Sequence, residues 1–257
     1  MPKSANNSAK ENCLSTDENT NVFTTVIGRG HSGTRAISHT LSQSGVYMGN
    51  LLNISGDLLP PDDIYEACCV FAKYVTYLGS MEWDFSKVHQ MDIDLRFTKL
   101  IESYLSSVLT SPASQKGWKI PETTLIFPWI LRLFPDIHYI NWVRDPRDSI
   151  LGPHLTDNLK DFGISYDETE NILLRRATSI KYQFDIVEAS PKPKKWITVR
   201  FEDFVRNQDV VLQRLENFLG FPLAKIQVDQ ASVGRYKTDQ SPHDFPFLSK
   251  HYLYEEF

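Results

Sequence analysis

The sequence has 257 residues, of which 41% are hydrophobic and 12% aromatic, enough apolar material for one sizeable core. A formal net charge of −5 lacks the basic excess that binds a phosphate backbone, so we expect no nucleic-acid partner. The expected organisation is a disordered polar leader over residues 1–21 and a single domain over residues 22–257.

The leader is rich in Asn, Ser and Glu and lacks the apolar run of a secretory signal peptide. No later run approaches the roughly 20 apolar residues of a membrane span, so no membrane partner is expected. The three cysteines are Cys13 and the adjacent pair Cys68 and Cys69. Neighbouring cysteines make poor disulfide partners, which favours a reducing compartment and predicts a cytoplasmic protein.

The first half of the chain combines one strand with several helices. In chain order, the pattern predicts a strand over residues 22–27, a glycine turn, a helix over about 36–45, a surface loop over 49–63, and helices over about 64–77 and 94–109.

The second half alternates strands with helices. The pattern predicts strands over residues 118–120, 138–143 and 196–201, a helix through 129–133, an amphipathic helix over about 169–188, and a helix over 210–219 that Gly220 ends. This order indicates an α/β fold with a central parallel β-sheet flanked by helices on both faces. Ligands of such sheets bind at the carboxyl ends of the strands.

The glycine turn reads Gly28-Arg29-Gly30-His31-Ser32-Gly33-Thr34-Arg35 and lies between a predicted strand and a predicted helix. Glycines allow close backbone approach to an anion, and a helix N-terminus adds unpaired N–H groups, so the turn predicts a phosphate site. The Walker pattern has a Lys between Gly and Thr that is missing here, which counts against a kinase or NTPase. The alternative is a glycine turn that only packs the strand on the helix.

The run His31-Ser32-Gly33-Thr34-Arg35 resembles the 5'-phosphosulfate loop of sulfotransferases that use 3'-phosphoadenosine 5'-phosphosulfate (PAPS). The resemblance implies a P-loop NTPase-like sulfotransferase fold and a PAPS-binding role for Arg29, Gly30, His31, Ser32, Gly33, Thr34 and Arg35. The family has a catalytic Lys where this sequence has His31. A histidinium is able to donate the same hydrogen bond, and Arg29 or Arg35 are alternatives for the permanent charge.

Arg144-Asp145-Pro146 resembles the family's 3'-phosphate motif at the end of a strand. The resemblance assigns Arg144 to the 3'-phosphate, a task that suits a planar guanidinium. The family's serine eight residues later is Gly152 here, and Ser149 is the nearest substitute. Arg235 lies where the family carries a basic loop that closes over the nucleotide. The alternative is that Arg144 pairs with a local acid such as Asp148.

Lys119 matches the family's lysine at the end of a central strand, beside the transferred sulfuryl group. The general base is harder to assign: the acids Asp57, Asp62, Asp63 and Glu66 cluster after the first helix, and among them we favour Asp57 or Glu66. Glu122 and His154 are less favoured candidates. The remaining histidines show no ligand spacing, so no metal site is expected.

The resemblance therefore implies an enzyme that transfers a sulfuryl group from PAPS to a hydroxyl or amine of a small molecule or sugar, with PAP as product. The alternatives are a noncatalytic PAPS- or PAP-binding protein and a P-loop phosphotransferase. Residues 153–163, which include Asp157, are a candidate acceptor-side lid whose acids favour a cationic or polyhydroxyl acceptor.

Overall fold

The computed structural model describes residues 21–252. The predicted leader over residues 1–21, with Cys13, lies outside the described residues except for Asn21. Its predicted disorder and the assignment of residues 22–257 to a single domain stay predictions.

Within the described part, the strands are β1 (Val22–Ile27), β2 (Thr76–Gly79), β3 (Glu82–Asp84), β4 (Gln115–Lys119), β5 (His138–Val143) and β6 (Trp196–Arg200). The helices there are α1 (Thr34–Gln43), α2 (Asp62–Ala72), α3 (Ser86–Gln90), α4 (Leu95–Tyr104), α5 (Ser106–Leu109), α6 (Phe127–Leu133), α7 (Pro146–Ser149), α8 (Ile172–Glu188), α9 (Phe201–Arg206) and α10 (Gln208–Leu219).

The central sheet has the strand order β4-β1-β5-β6, and all of its neighbouring strands are parallel. Crossover helices bury both faces of a parallel sheet, so successive residues of one strand pack into the hydrophobic core on opposite sides. In β5, Tyr139 belongs to one hydrophobic cluster, whereas Ile140 and Trp142 belong to another. The first cluster includes residues of α2, α4, α6 and α8, and the second includes residues of α1, α9 and α10. The predicted sheet, with helices on both faces, is confirmed.

The second sheet, an antiparallel hairpin of β2 and β3, is not among the predicted elements. We expect a helix to reach Tyr77, but α2 ends at Ala72. The hairpin turns at Ser80 and Met81, which both have positive φ (52° and 60°). Tight hairpin turns with two positive φ angles usually contain Asn-Gly or Asp-Gly, and neither dipeptide is present here.

Part of the long loop that precedes α2 lies along the edge strand β4 and is hydrogen-bonded to it. The Leu58 backbone N–H donates to the Lys119 carbonyl over 3.0 Å, and the Gly117 N–H donates to the Tyr47 carbonyl over 2.9 Å. The loop is therefore fixed beside the carboxyl end of β4. Among residues 21–252, no helix combines the length and the apolar character that crossing a membrane requires.

Candidate functional site

The glycine turn between β1 and α1 has no space for larger side chains. A Cβ atom on Gly30 would lie 2.0 Å from the His154 ring, and one on Gly33 would lie 2.3 Å from the Phe201 ring. Gly33 has a φ of 87°, and His31 also lies in the left-handed region with a φ of 61°. The glycines are therefore required by packing and by backbone conformation.

Three side chains hold the turn in place. The Thr124 hydroxyl accepts a hydrogen bond from the Gly28 N–H over 2.9 Å, and the Trp142 indole donates to the Ser32 carbonyl over 3.1 Å. Arg144 Nη1 donates to the His31 carbonyl over 3.1 Å. The bonds from Trp142 and Arg144 use carbonyls of the turn, whereas the first N–H groups of α1 have no acceptor within their helix. The start of α1 thus carries partial positive charge beside the turn.

The turn opens on a cavity of about 460 Å³, which we call the loop cavity. The charged side chains that line it are the cations Arg35, Lys119, Arg144 and Arg235 and the carboxylates Asp57 and Asp229. Backbone and side chains of Gly30, His31, Gly33 and Thr34 also line it, as do the apolar residues Ala36, Phe201, Ile226 and Val228. An elongated anion with an apolar portion fits this combination of walls.

Arg144 lies at one side of the loop cavity and is only 6% exposed. Its guanidinium donates to Asp148 Oδ2 over 3.2 Å and to the Ser232 carbonyl, and it stacks 4.7 Å from the centre of the Phe201 ring. The local pairing with Asp148 that we weighed as an alternative is therefore present. Among the described residues, Arg144 Nε has no hydrogen-bond partner.

Arg35 and Arg235 present exposed guanidinium groups to the same cavity. Arg35 Nη2 contacts the Ser55 hydroxyl at 3.1 Å, and Arg235 Nη2 donates to the Asp148 carbonyl over 3.0 Å. The two side chains keep further donors for a ligand because a guanidinium carries five N–H groups.

Four predicted site residues do not line the loop cavity. The Arg29 guanidinium is buried and binds Asp157 and the carbonyls of Gly30, Ser149 and Gly152. The Ser149 hydroxyl is buried and donates to the Asp145 carbonyl. Glu66 lies on the surface and pairs with Arg96. Ser32, the fourth, donates its hydroxyl to the Arg29 carbonyl. The structure brings the remaining predicted residues together around the cavity.

Lys119 and Asp57, which the sequence separates widely, form an ion pair at the floor of the loop cavity. Lys119 Nζ lies 2.6 Å from Asp57 Oδ1 and 2.8 Å from the Ser55 carbonyl, and Lys119 is 2% exposed. Burial lowers the pKa of Lys119, and the negative charge of Asp57 opposes that shift. The Asp57 carboxylate also accepts from Asn53 Nδ2 over 2.8 Å, so both of its oxygens have partners.

The two departures from the family pattern, His31 and Gly152, are in contact. A Cβ atom on Gly152 would lie 2.6 Å from His31 Nδ1. Burial and the positive charge of Arg29 lower the pKa of His31, so the imidazole is neutral at pH 7 without a bound anion.

A second cavity of about 440 Å³ adjoins the loop cavity, and Asp57, Pro121 and His154 line both. Glu122 lines the second cavity and is 1% exposed. Its Oε2 accepts no hydrogen bond from the described residues. Burial raises the pKa of Glu122 to about 7, with the negative charge of Asp57 adding to the shift and Lys119 opposing it. Burial and nearby cations lower the pKa of His154 to about 3.

The predicted lid over residues 153–163 differs from the expectation at Asp157. This side chain is buried, pairs with Arg29 and Arg176, and accepts from the His154 backbone N–H over 2.7 Å. It braces the segment from within and presents no charge to an acceptor. Among the described residues, no group of three or more His, Cys, Asp or Glu side chains forms a metal-binding cluster.

Glu122, a less favoured candidate for the base in the sequence, lines the second cavity. It follows the Lys119 strand end by three residues, in Lys119-Ile120-Pro121-Glu122. Polar residues just beyond a parallel strand lie at the edge where ligands bind, so this position was the available signal.

A family model described as the sulfotransferase family matches residues 9–225. The structure is similar to the sulfotransferase domain from the curacin biosynthetic pathway, with a TM-score of 0.53 and 15% identity over 90% of this chain and 97% of that one. It is also similar to the sulfotransferase domain from the Synechococcus PCC 7002 olefin synthase, with a TM-score of 0.51 and 13% identity over 87% and 90% of the two chains. These similarities confirm the expected fold. Among curated protein sequences, none matches significantly.

Proposed function

Because the chain belongs to the sulfotransferase family, we propose that it transfers a sulfuryl group from PAPS to a hydroxyl or amine of a small-molecule acceptor and releases PAP. The observation that carries this proposal is the shared cavity of the glycine turn and Lys119, with Arg35, Arg144 and Arg235 around it. A donor with phosphate groups at both ends requires positive charge at separated places of one cavity, and this distribution supplies it.

We infer that the 5'-phosphosulfate binds the turn over residues 30–35 and the start of α1. There, helix N–H groups and Arg35 favour an anion. The 3'-phosphate would bind Arg144 and Arg235, the first of which has a buried Nε without a partner among the described residues. The adenosine would lie against the apolar wall of Ile226 and Val228.

The reaction places negative charge on the phosphate oxygen that leaves sulfur. Lys119 Nζ is held by Asp57 and Ser55 at the floor of the cavity, so a positioned cation is present without rearrangement. His31 lies on the turn itself, and a bound anion would raise its pKa and favour the imidazolium. Lys119 and His31 thus share the role that the family gives to its loop lysine and strand lysine.

Calorimetric titration of PAP tests the donor site. We expect metal-independent binding in the micromolar range, and a loss of about 10–100-fold in affinity for Arg235→Ala, because a hydrogen bond to a charged group contributes about 1.5–3 kcal/mol. Arg235 is exposed, so its removal leaves the fold intact.

The matched control is Arg214→Ala, which removes another exposed arginine that does not line the cavity. We expect its PAP affinity to equal that of the wild type. Absent PAP binding, or preferred binding of ATP that depends on Mg²⁺, would contradict the proposal. PAP binding without any transfer from PAPS to a broad acceptor panel would point to a noncatalytic binding protein.

A further inference from the structure

We propose that the second cavity binds an uncharged alcohol or phenol with an apolar body, and that Glu122 accepts the proton of its hydroxyl group. This inference rests on the proposed function and identifies the acceptor class and the base of the same reaction.

The position of the second cavity suits an acceptor site. Its boundary with the loop cavity is formed by Asp57, Pro121 and His154. Lys119 lies on the loop-cavity side of this boundary, and Glu122 lies on the other side. A hydroxyl group in the second cavity would therefore meet a sulfuryl group on the glycine turn at the point where the two cavities join.

The walls of the second cavity are selective. Its apolar lining consists of Leu59, Pro61, Tyr65, Ile120, Pro121, Pro153 and Leu155. Leu155, which is part of this lining, is 63% exposed. Exposed large apolar side chains beside a cavity mark a surface for an apolar ligand.

Charge determines which apolar ligands fit. Among the described residues that line the second cavity there is no Lys or Arg, whereas Asp57 and Glu122 are both present. A carboxylate, phosphate or sulfate on the acceptor would be desolvated beside like charges without a cation, which is costly. The cavity therefore favours an acceptor without negative charge.

Of Asp57, His154 and Glu122, only Glu122 has a free acceptor atom that is able to take a proton from the acceptor hydroxyl. The two oxygens of Asp57 bind Lys119 and Asn53. His154 Nδ1 accepts a hydrogen bond from the Thr156 backbone N–H over 3.2 Å, which leaves the ring proton on Nε2 and makes that nitrogen a donor. Glu122 Oε2 is buried and has no hydrogen-bond partner among the described residues, and Glu122 is one of the residues that line the cavity.

The titratable groups that act electrostatically on Glu122 come from four neighbouring parts of the chain. They are Asp57 from the loop before α2, Tyr65 and Cys68 from α2, Tyr104 from α4, and Lys119 from β4. Burial raises the pKa values of Tyr65, Cys68 and Tyr104, so all three stay neutral near pH 7. Of these groups, Glu122 is therefore the one that changes its charge near neutral pH, and its pKa of about 7 suits a general base.

In the proposed reaction one bond to sulfur replaces another. A lone pair of the acceptor oxygen forms the new bond to sulfur, and the bond between sulfur and the bridging phosphate oxygen breaks with its electron pair on PAP. The hydroxyl proton moves to the Glu122 carboxylate and leaves to solvent after the sulfate ester has departed. No oxidant, reductant or further reactant is needed.

The test compares wild type with Glu122→Gln, which keeps the shape and removes the base. For naphthol, we expect a sulfation rate at least about 100-fold lower in the variant. The wild-type rate should rise with pH through about 7, because Glu122 acts as the ionised form, and this rise should vanish in the variant. PAP affinity should stay within about twofold, which also reports that the variant is folded. The control is Glu102→Gln, an exposed carboxylate on α4, with unchanged rate and pH profile.

A binding measurement tests the acceptor class separately from turnover. With PAP bound, fluorescence titration should give naphthol an affinity at least tenfold higher than hydroxynaphthoate, which has the same ring and hydroxyl plus a carboxylate. Glu122→Gln should keep naphthol affinity within about threefold and reduce the discrimination. Equal affinity of the two ligands for wild type, or a Glu122→Gln rate within threefold of wild type, would overturn the inference alone. Absent PAP binding would instead overturn the proposed function.

Discussion

At the scale of single residues, the two departures from the family pattern explain each other. The His31 ring occupies the place that a side chain at residue 152 would fill, with Nδ1 2.6 Å from the Cβ of any substitute. A histidine on the turn therefore requires glycine at 152. A serine there would force the ring and the turn backbone to move, and His31 already has a positive φ.

This contact predicts coupling between the two positions. Gly152→Ser should destabilise the protein by about 1–3 kcal/mol, as overpacking usually does, and should weaken PAP binding. Adding His31→Lys should recover at least half of both losses, because a lysine stem carries no ring at that place. Urea unfolding and PAP calorimetry on the two single variants and the double variant measure the coupling energy. Losses that simply add would show that the contact has no energetic role.

At the scale of elements, the segment over residues 153–163 is held by charge inside the protein. Asp157 lies between Arg29, which supports the glycine turn, and Arg176 of α8. The segment also supplies His154 and Leu155 to the second cavity. One buried carboxylate thus links the turn, the helix and the wall of the proposed acceptor site.

Asp157→Asn should lower the free energy of unfolding by about 3–5 kcal/mol, because it leaves the buried Arg29 charge without its counterion. Asp161→Asn is the matched control: it changes an exposed carboxylate of the same segment that contacts Asn158, and its effect should stay within about 0.5 kcal/mol. Chemical denaturation of both variants measures the difference. A similar small effect for the two would show that Asp157 is not a structural counterion.

The elements themselves were predictable to different degrees. The strands β1 and β5 and the C-terminal stop of α10 at Gly220 match their predicted bounds, because apolar runs and glycine act locally. The hairpin of β2 and β3 was not predicted, because Ser80 and Met81 adopt positive φ without the usual residues. The path of the loop over residues 49–63 along β4 depends on the Leu58 to Lys119 hydrogen bond, which connects distant parts of the sequence.

At the scale of the whole molecule, the parallel sheet decides which residues meet. The turn after β1, Lys119 at the end of β4 and Arg144 after β5 reach one edge because their strands are parallel neighbours, so the sequence order of the motifs predicted their convergence. The pairing of Asp57 with Lys119 and the inward turn of Arg29 depend on side-chain packing across the chain. Local pattern contains no information on either, and for this reason Arg29 was expected at the site. Glu66 was also expected there, but it pairs with Arg96 at the surface.

The buried Glu122 also makes a prediction about the stability of the whole molecule. Its pKa is about 7 in the folded protein against an ordinary value of 4.5, so the folded state holds a proton that the unfolded state releases between those values. Ionising Glu122 above pH 7 therefore costs the folded state up to about 3 kcal/mol. The proton bound to Glu122 thus stabilises the folded state. This stabilisation is fully present below about pH 4.5 and is lost as the pH rises through 7.

Urea unfolding of wild type and Glu122→Gln from pH 5 to pH 8.5 isolates the contribution of Glu122, because His154 and His251, whose lowered pKa values affect stability below about pH 6.5, act equally in both proteins. The variant should gain stability relative to wild type as the pH rises, by up to about 3 kcal/mol at pH 8.5. A difference that does not vary with pH would show that Glu122 ionises as an ordinary carboxyl. A gain in stability together with the loss of sulfation would identify Glu122 as a group kept for catalysis at the expense of folding, as functional residues often are.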